Sequence, residues 1–217
     1  MFLTASCGDK MPKEPDPSPT SIANSYRVSH KWISTEALRP ESAEGSIVRA
    51  ALESDEILIS TVAREAQYPG FIAASDQYYE NSHTPGDPYD NQFAGAVIFT
   101  PTERQVLASG LAFTVCMVGR VQAKTDRPQN LFQFVSRIEI ATTGTPPPRN
   151  QVGSADRPSS NMFGDWRIRD IKLVDNHPAT PPLTCQPAFY EQHKNDPASP
   201  GWPTSPELPP SSSTEPR

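Results

Sequence analysis

Proline placement constrains this chain more than any other feature. Of the 25 prolines in 217 residues, four fall between Pro12 and Pro19, eleven from Pro178 to the C-terminus, and only ten in the long stretch between. Each proline fixes φ and removes a backbone donor, so dense proline rules out helix interiors and central strands. Three segments follow after residues 1–7: a Pro-rich tether over 8–25, one compact domain over 26–190, and a disordered Pro/Ser-rich tail over 191–217. The tail "PASPGWPTSPELPPSSSTEPR" holds too little apolar surface to offset the entropy of ordering it. Its one large apolar group, Trp202, reads as a loosely packed residue or a docking residue for a partner.

Charge and motifs narrow the function classes. The net charge is -6, and Lys and Arg are scattered without a basic run, which speaks against nucleic acid. No run of eighteen apolar residues exists to cross a membrane. The four histidines (His30, His83, His177 and His193) form no HExxH or HxH motif, and no CxxC, GxSxG or glycine-rich phosphate loop is present. No metal and no cofactor is therefore expected. The stretch "GDPYDN", with Asp87, Asp90 and Asn91, is too sparse in oxygens for a calcium loop and reads as a turn.

Periodicity predicts two helices followed by strands. In "SIVRAALESDEILISTVAREA" the residues Ile47, Val48, Ala51, Leu52, Leu58, Ile59, Val62 and Ala66 form an apolar stripe, with Glu53 and Glu56 on other faces. A shorter helix is expected over "YPGFIAASDQYYENS", with Pro69 in its first turn and Phe71, Ser75, Tyr78 and Tyr79 on one side. "FAGAVIF" reads as a strand and "TPTERQVL" as a helical turn capped by Thr100 or Thr102. In "LAFTVCMVGRVQ" the residues Leu111, Phe113, Val115, Met117 and Val121 share one face, which leaves Cys116 on the other. "LFQFVSRIEI" places Phe132, Phe134, Ile138 and Ile140 together, and "AKTDRPQN" is expected to be the hairpin turn before it. In "DWRIRDIKLV" the apolar phase slips between Ile168 and Ile171, which predicts a bulge near Arg169–Asp170. The stretch "TTGTPPPRNQVGSADRPSSN" reads as a long exposed loop.

The opening residues Leu3-Thr4-Ala5-Ser6-Cys7 resemble a bacterial lipobox, in which small residues lead into a cysteine that takes lipid. The resemblance implies an anchored chain on the outer face of a membrane, with Cys7 as the lipidation site. Of three cysteines it leaves Cys116 and Cys185, expected to form a disulfide in an oxidising compartment. Two buried free thiols are the alternative.

Helices first, then a three-strand meander ending in a "DWRIRDI"-type strand, resemble the NTF2-like (cystatin-like) fold across Ser25 to Val174. With the lipobox, the tether and the "YPGF" segment, the chain is similar to small lipoproteins of actinobacterial envelopes. The resemblance implies an α+β cone, its N-terminal helices packed on a curved antiparallel sheet. Pocket candidates are Phe71, Ser75, Tyr78, Tyr79, Phe113, Phe134 and Trp166. The implied role is non-enzymatic: an envelope-protein partner, or an apolar small ligand in the cone. Two alternatives stand beside it. One is a phage-encoded lipoprotein that excludes superinfection. The other is a SnoaL-like isomerase or cyclase using Asp76 and His83 for proton transfer.

Overall fold

The computed structural model describes residues 26–61, 66–75, 93–123, 131–175, 182–197 and 199–204. Cys7, the tether, Asp76, Tyr78, Tyr79, His83, the "GDPYDN" stretch and the "AKTDRPQN" turn lie outside the described residues.

The fold is α+β. Its strands are β1 (Tyr26–Trp32), β2 (Phe93–Leu107), β3 (Gly110–Ala123), β4 (Phe132–Ala141) and β5 (Arg167–Asp175). Among the described residues they form one sheet in the order β1-β2-β3-β4-β5. β2 through β5 pair antiparallel, but β1 pairs parallel to β2, with Tyr26 opposite Phe93. The sheet is therefore mixed, which corrects the expected antiparallel one.

Helix α1 (Ala43–Thr61) starts where Ser42 Oγ accepts the Gly45 amide at 2.9 Å, a side-chain N-cap. Gly45 is needed there, because a Cβ would run into the carbonyl oxygens of Arg39 and Pro40. The apolar stripe predicted for this helix is buried at Ile47, Val48, Ala51, Leu52 and Leu58, while Ile59 is exposed. The second helix, α2, is only one turn long (Phe71–Ala74); it begins after Gly70 at φ 88°, so Pro69 lies in the turn before it.

β3 alternates as its sequence predicts. Leu111, Phe113, Val115 and Met117 join Val97, Phe99, Ile138, Ile140 and the α1 stripe in the main core. The opposite face carries a smaller cluster of Ala96, Ile98, Val118 and Tyr190. Tyr190 belongs to helix α3 (Pro187–His193), and Cys185 just ahead of it is bonded to Cys116, with Cα atoms 5.8 Å apart. In β5, Asp170 faces Glu139 and Ile168 faces Ile140, so Arg169 is the extra residue of a bulge. That bulge brings Ile168 and Ile171 onto one buried face, as the phase slip predicts.

Four further expectations need correction. The helices do not come first, because β1 precedes them in the chain. "TPTERQVL" is the second half of β2 rather than a helical turn, running past a register shift between Pro101 and Glu103 to a tight turn at Ala108–Ser109. Fourteen partnered positions on β3 override the local capping signal. The loop after β4 is not simply exposed, since Gln151, Met162 and Phe163 are buried in it. The tail is not disordered from residue 191. Ser199 bridges Lys31 on β1, while Gly201 and Trp202 pair with Gly153 and Ala155. This strap covers the edge that β1 would otherwise expose, and backbone pairing holds it despite its prolines.

Candidate functional site

Beneath the strap, α1 and β1 bring together a polar cluster inside the apolar core. His30, on β1, is 7% exposed; Arg49, Glu53 and Glu56, on α1, are 0%, 1% and 5% exposed. Sequence periodicity places Glu53 and Glu56 away from the apolar stripe. That much is correct, but the strap and β1 cover the polar side of the helix as well. The i, i+4 spacing of Arg49 and Glu53 and the i, i+3 spacing of Glu53 and Glu56 put all three on that side.

Glu53 is the hub. Its Oε1 accepts the Trp32 indole N–H at 2.7 Å; its Oε2 accepts the Tyr68 hydroxyl at 2.7 Å and the Trp202 indole N–H at 2.8 Å. His30 Nδ1 lies 3.5 Å from Oε2, and Arg49 Nε 3.8 Å from Oε1. Burial would raise this carboxyl, but hydrogen bonding and charge from His30, then the Arg49 charge and the Trp202 indole, outweigh it and hold the pKa below its ordinary value. The fixed charge in turn acts on Tyr68. Burial, and then the adjacent Glu53, push its phenol well above the usual range.

Arg49 ties the cluster to the strap. Its guanidinium donates to the carbonyls of Gln151 at 2.8 Å, Pro200 at 2.7 Å and Gly201 at 3.1 Å, and lies 4.0 Å over the Trp202 ring. Burial lowers its pKa, opposed by Glu53, yet a guanidinium stays charged.

Glu56 sits differently. Its Oε2 is 3.1 Å from His30 Nε2, its Oε1 accepts the Ser60 hydroxyl at 2.7 Å, and the Tyr26 hydroxyl is also 3.1 Å from Nε2. Burial raises its pKa to about 7, with only the Ser60 hydrogen bond opposing. Two carboxylates three residues apart are therefore pushed in opposite directions, because Glu53 has three hydrogen-bond donors and two basic neighbours while Glu56 has few. The His30 ring and the Glu56 carboxyl form one hydrogen-bonded unit.

Around this unit there is little space. The cavity lined by His30, Glu53, Asp156 and Trp202 measures about 10 Å3, room for a single water. No group of three or more His, Cys, Asp or Glu among the described residues could hold a metal ion.

The pocket candidates read from sequence do not converge on one cavity. Phe71 packs against Phe163 with ring centroids 5.9 Å apart, and the Ser75 hydroxyl donates to the Phe71 carbonyl at 2.6 Å; both residues are buried. Phe113 is fully buried in the main core, while Phe134 stacks on Phe132 at 5.1 Å, partly exposed. Trp166 lines a separate surface groove. The residues missed were those of the polar cluster. Its one legible signal was four ionisable residues within one α1 stretch, Arg49, Glu53, Asp55 and Glu56, beside a strand histidine.

No protein family, curated protein or solved structure matches the chain.

Proposed function

We propose that this chain is a lipid-anchored, non-enzymatic accessory protein of the cell envelope, built on an NTF2-like frame and acting by binding a second envelope protein. The observation that carries the reading is the internal use of its reactive groups. The Glu53 carboxylate is engaged by three neutral donors and two bases, Arg49 by three carbonyls, and the adjoining cavity admits one water. An enzyme needs a substrate-sized space beside its proton-transfer groups, and a cluster closed by its own strap is a scaffold element. The cluster rigidifies the domain and leaves recognition to the surface.

Two further points support the location. The Cys116–Cys185 bond suits an oxidising compartment, and a lipidated Cys7 followed by a proline-rich tether would hold the domain clear of a membrane surface. No described helix is long and apolar enough to cross a membrane.

The test is crosslinking in intact native cells followed by mass spectrometry, with the Cys7→Ala chain as control. One reproducible envelope partner, lost with Cys7→Ala, is the expected result. A chain that fractionates away from membranes and captures no partner refutes the reading.

A further inference from the structure

A groove of about 560 Å3 opens on the surface where the turn before α1, the start of α1, the second half of β2 and the loop after β4 meet. That volume falls within the range of small-ligand sites, about 300–1,000 Å3. Two features make its lining unusual. It carries three guanidiniums (Arg39, Arg104, Arg149) and three carboxylates (Glu36, Glu41, Glu44), so it holds many planar polar groups with no net charge. It also presents the half-buried ring of Trp166.

Only part of that polarity is used internally. Arg104 forms a two-pronged pair with Glu44, Nε to Oε2 at 3.0 Å and Nη2 to Oε1 at 2.8 Å. Among the described residues, the Arg39 and Arg149 side chains have no hydrogen-bond or ion-pair partner.

The groove wall is nevertheless held in place from beneath. The Ser46 hydroxyl donates to the Pro148 carbonyl at 2.6 Å, the Asn150 amide to the Glu41 carbonyl at 2.7 Å, and Arg49 to the Gln151 carbonyl at 2.8 Å. Asn150 is fixed in the left-handed region at φ 57°, a conformation that asparagine tolerates better than most residues. On the other side, Asp165 anchors the approach to Trp166 by exchanging two hydrogen bonds with Thr145, at 2.8 and 2.9 Å. Polar side chains on a backbone held in this way, beside an aromatic ring, form a recognition surface whose main chain needs little ordering on binding.

We propose that this groove binds a neutral carbohydrate. A sugar ring has an apolar C–H face that lies on an aromatic ring, and adjacent hydroxyl pairs that match planar two-pronged groups such as guanidinium, carboxylate and carboxamide. Trp166 supplies the face; Arg149, Asn150 and Glu41 supply the hydroxyl partners. With three guanidiniums balanced by three carboxylates, the lining gives no net electrostatic preference for an anion or a cation. The inference uses only the folded domain and stands whether or not the chain is anchored in a membrane.

The test is an amide-resolved magnetic resonance titration of the full chain, isotope-labelled, with maltotriose, chitotriose and sodium phosphate in separate arms at millimolar concentration. At least one trisaccharide is expected to shift the amides of Arg149, Asn150 and Trp166 saturably. Arg149 is exposed, so Arg149→Ala should weaken that binding about tenfold while leaving Tm unchanged. No shift with either trisaccharide overturns the proposal. Shifts with phosphate alone also overturn it, and mark an anion site instead.

Discussion

Trp202 lies only fifteen residues from the C-terminus, in a segment rich in proline, yet it is 1% exposed. Replacing it by alanine removes a ring that sits beneath the Arg49 cation, meets Tyr68 edge-on at 5.8 Å, and donates to Glu53. Truncating a fully buried aromatic to alanine costs about 3–5 kcal/mol. Leaving a buried carboxylate oxygen short of one donor adds about 1 kcal/mol, at the low end because Tyr68 still donates to the same oxygen. The sum, about 4–6 kcal/mol, is a large fraction of a typical domain's stability. For a domain of this size it lowers Tm by about 10–20 °C. Urea unfolding followed by circular dichroism reads the effect directly. Trp202→Phe retains a ring beneath Arg49 and loses only the N–H, so it should cost about 1–2 kcal/mol. Truncation after Asn195 should match Trp202→Ala or exceed it. If Trp202→Ala and the truncation both unfold within 1 kcal/mol of the parent (below the about 3 kcal/mol minimum), the strap is not part of the fold.

Cys116→Ser and Cys185→Ser should lower stability by equal amounts, because either removes the same cross-link. The 69-residue separation sets the loss at about 4 kcal/mol from chain entropy, and unequal losses by urea unfolding would speak against the bond. The Glu56 carboxyl has a folded pKa of about 7 against an ordinary 4.5, so the folded state holds its proton longer than the unfolded chain does. Its contribution is complete below pH 4.5 and is lost as pH rises to about 7. Glu56→Gln should flatten the fall in unfolding free energy across that window, and an unchanged slope would exclude Glu56 as its source. Gly45→Ala introduces a better helix former yet should destabilise by about 1–3 kcal/mol, because the new Cβ meets the carbonyl oxygens of Arg39 and Pro40. A stabilised variant in thermal melts would mean that the turn before α1 can relax.

Much of the frame was legible because it rests on local alternation. The two faces of β3 follow from one apolar residue in two, and that alternation alone put Cys116 opposite the main core. The bulge in β5 was legible as a phase slip, since a buried face requires apolar residues in register. The stripe of α1 was legible from Ile47 to Leu58, while Ile59 projects to the surface, Ala66 lies beyond the helix and Val62 lies outside the described residues. Other elements carried no such pattern. β1, "YRVSHKW", mixes polar and apolar residues, and becomes a strand through parallel pairing with β2, 67 residues away at Tyr26 and Phe93. The second half of β2 looks like a capped turn until β3 folds back along it.

The sequence by itself determined the α+β alternation, the faces of the antiparallel strands and the cysteines available for pairing, because each depends on spacing between near neighbours. Tertiary structure alone decided that Arg49, Glu53 and Glu56 would be buried. The side of α1 that carries them looks solvated in any local window. It is closed by His30 from an early strand and by Trp202, 149 residues after Glu53. A buried charge is tolerable only where donors converge on it, and these come from four separate stretches of chain. That convergence holds the Glu53 pKa low, while burial with few donors raises that of Glu56, from two carboxylates that start out equivalent.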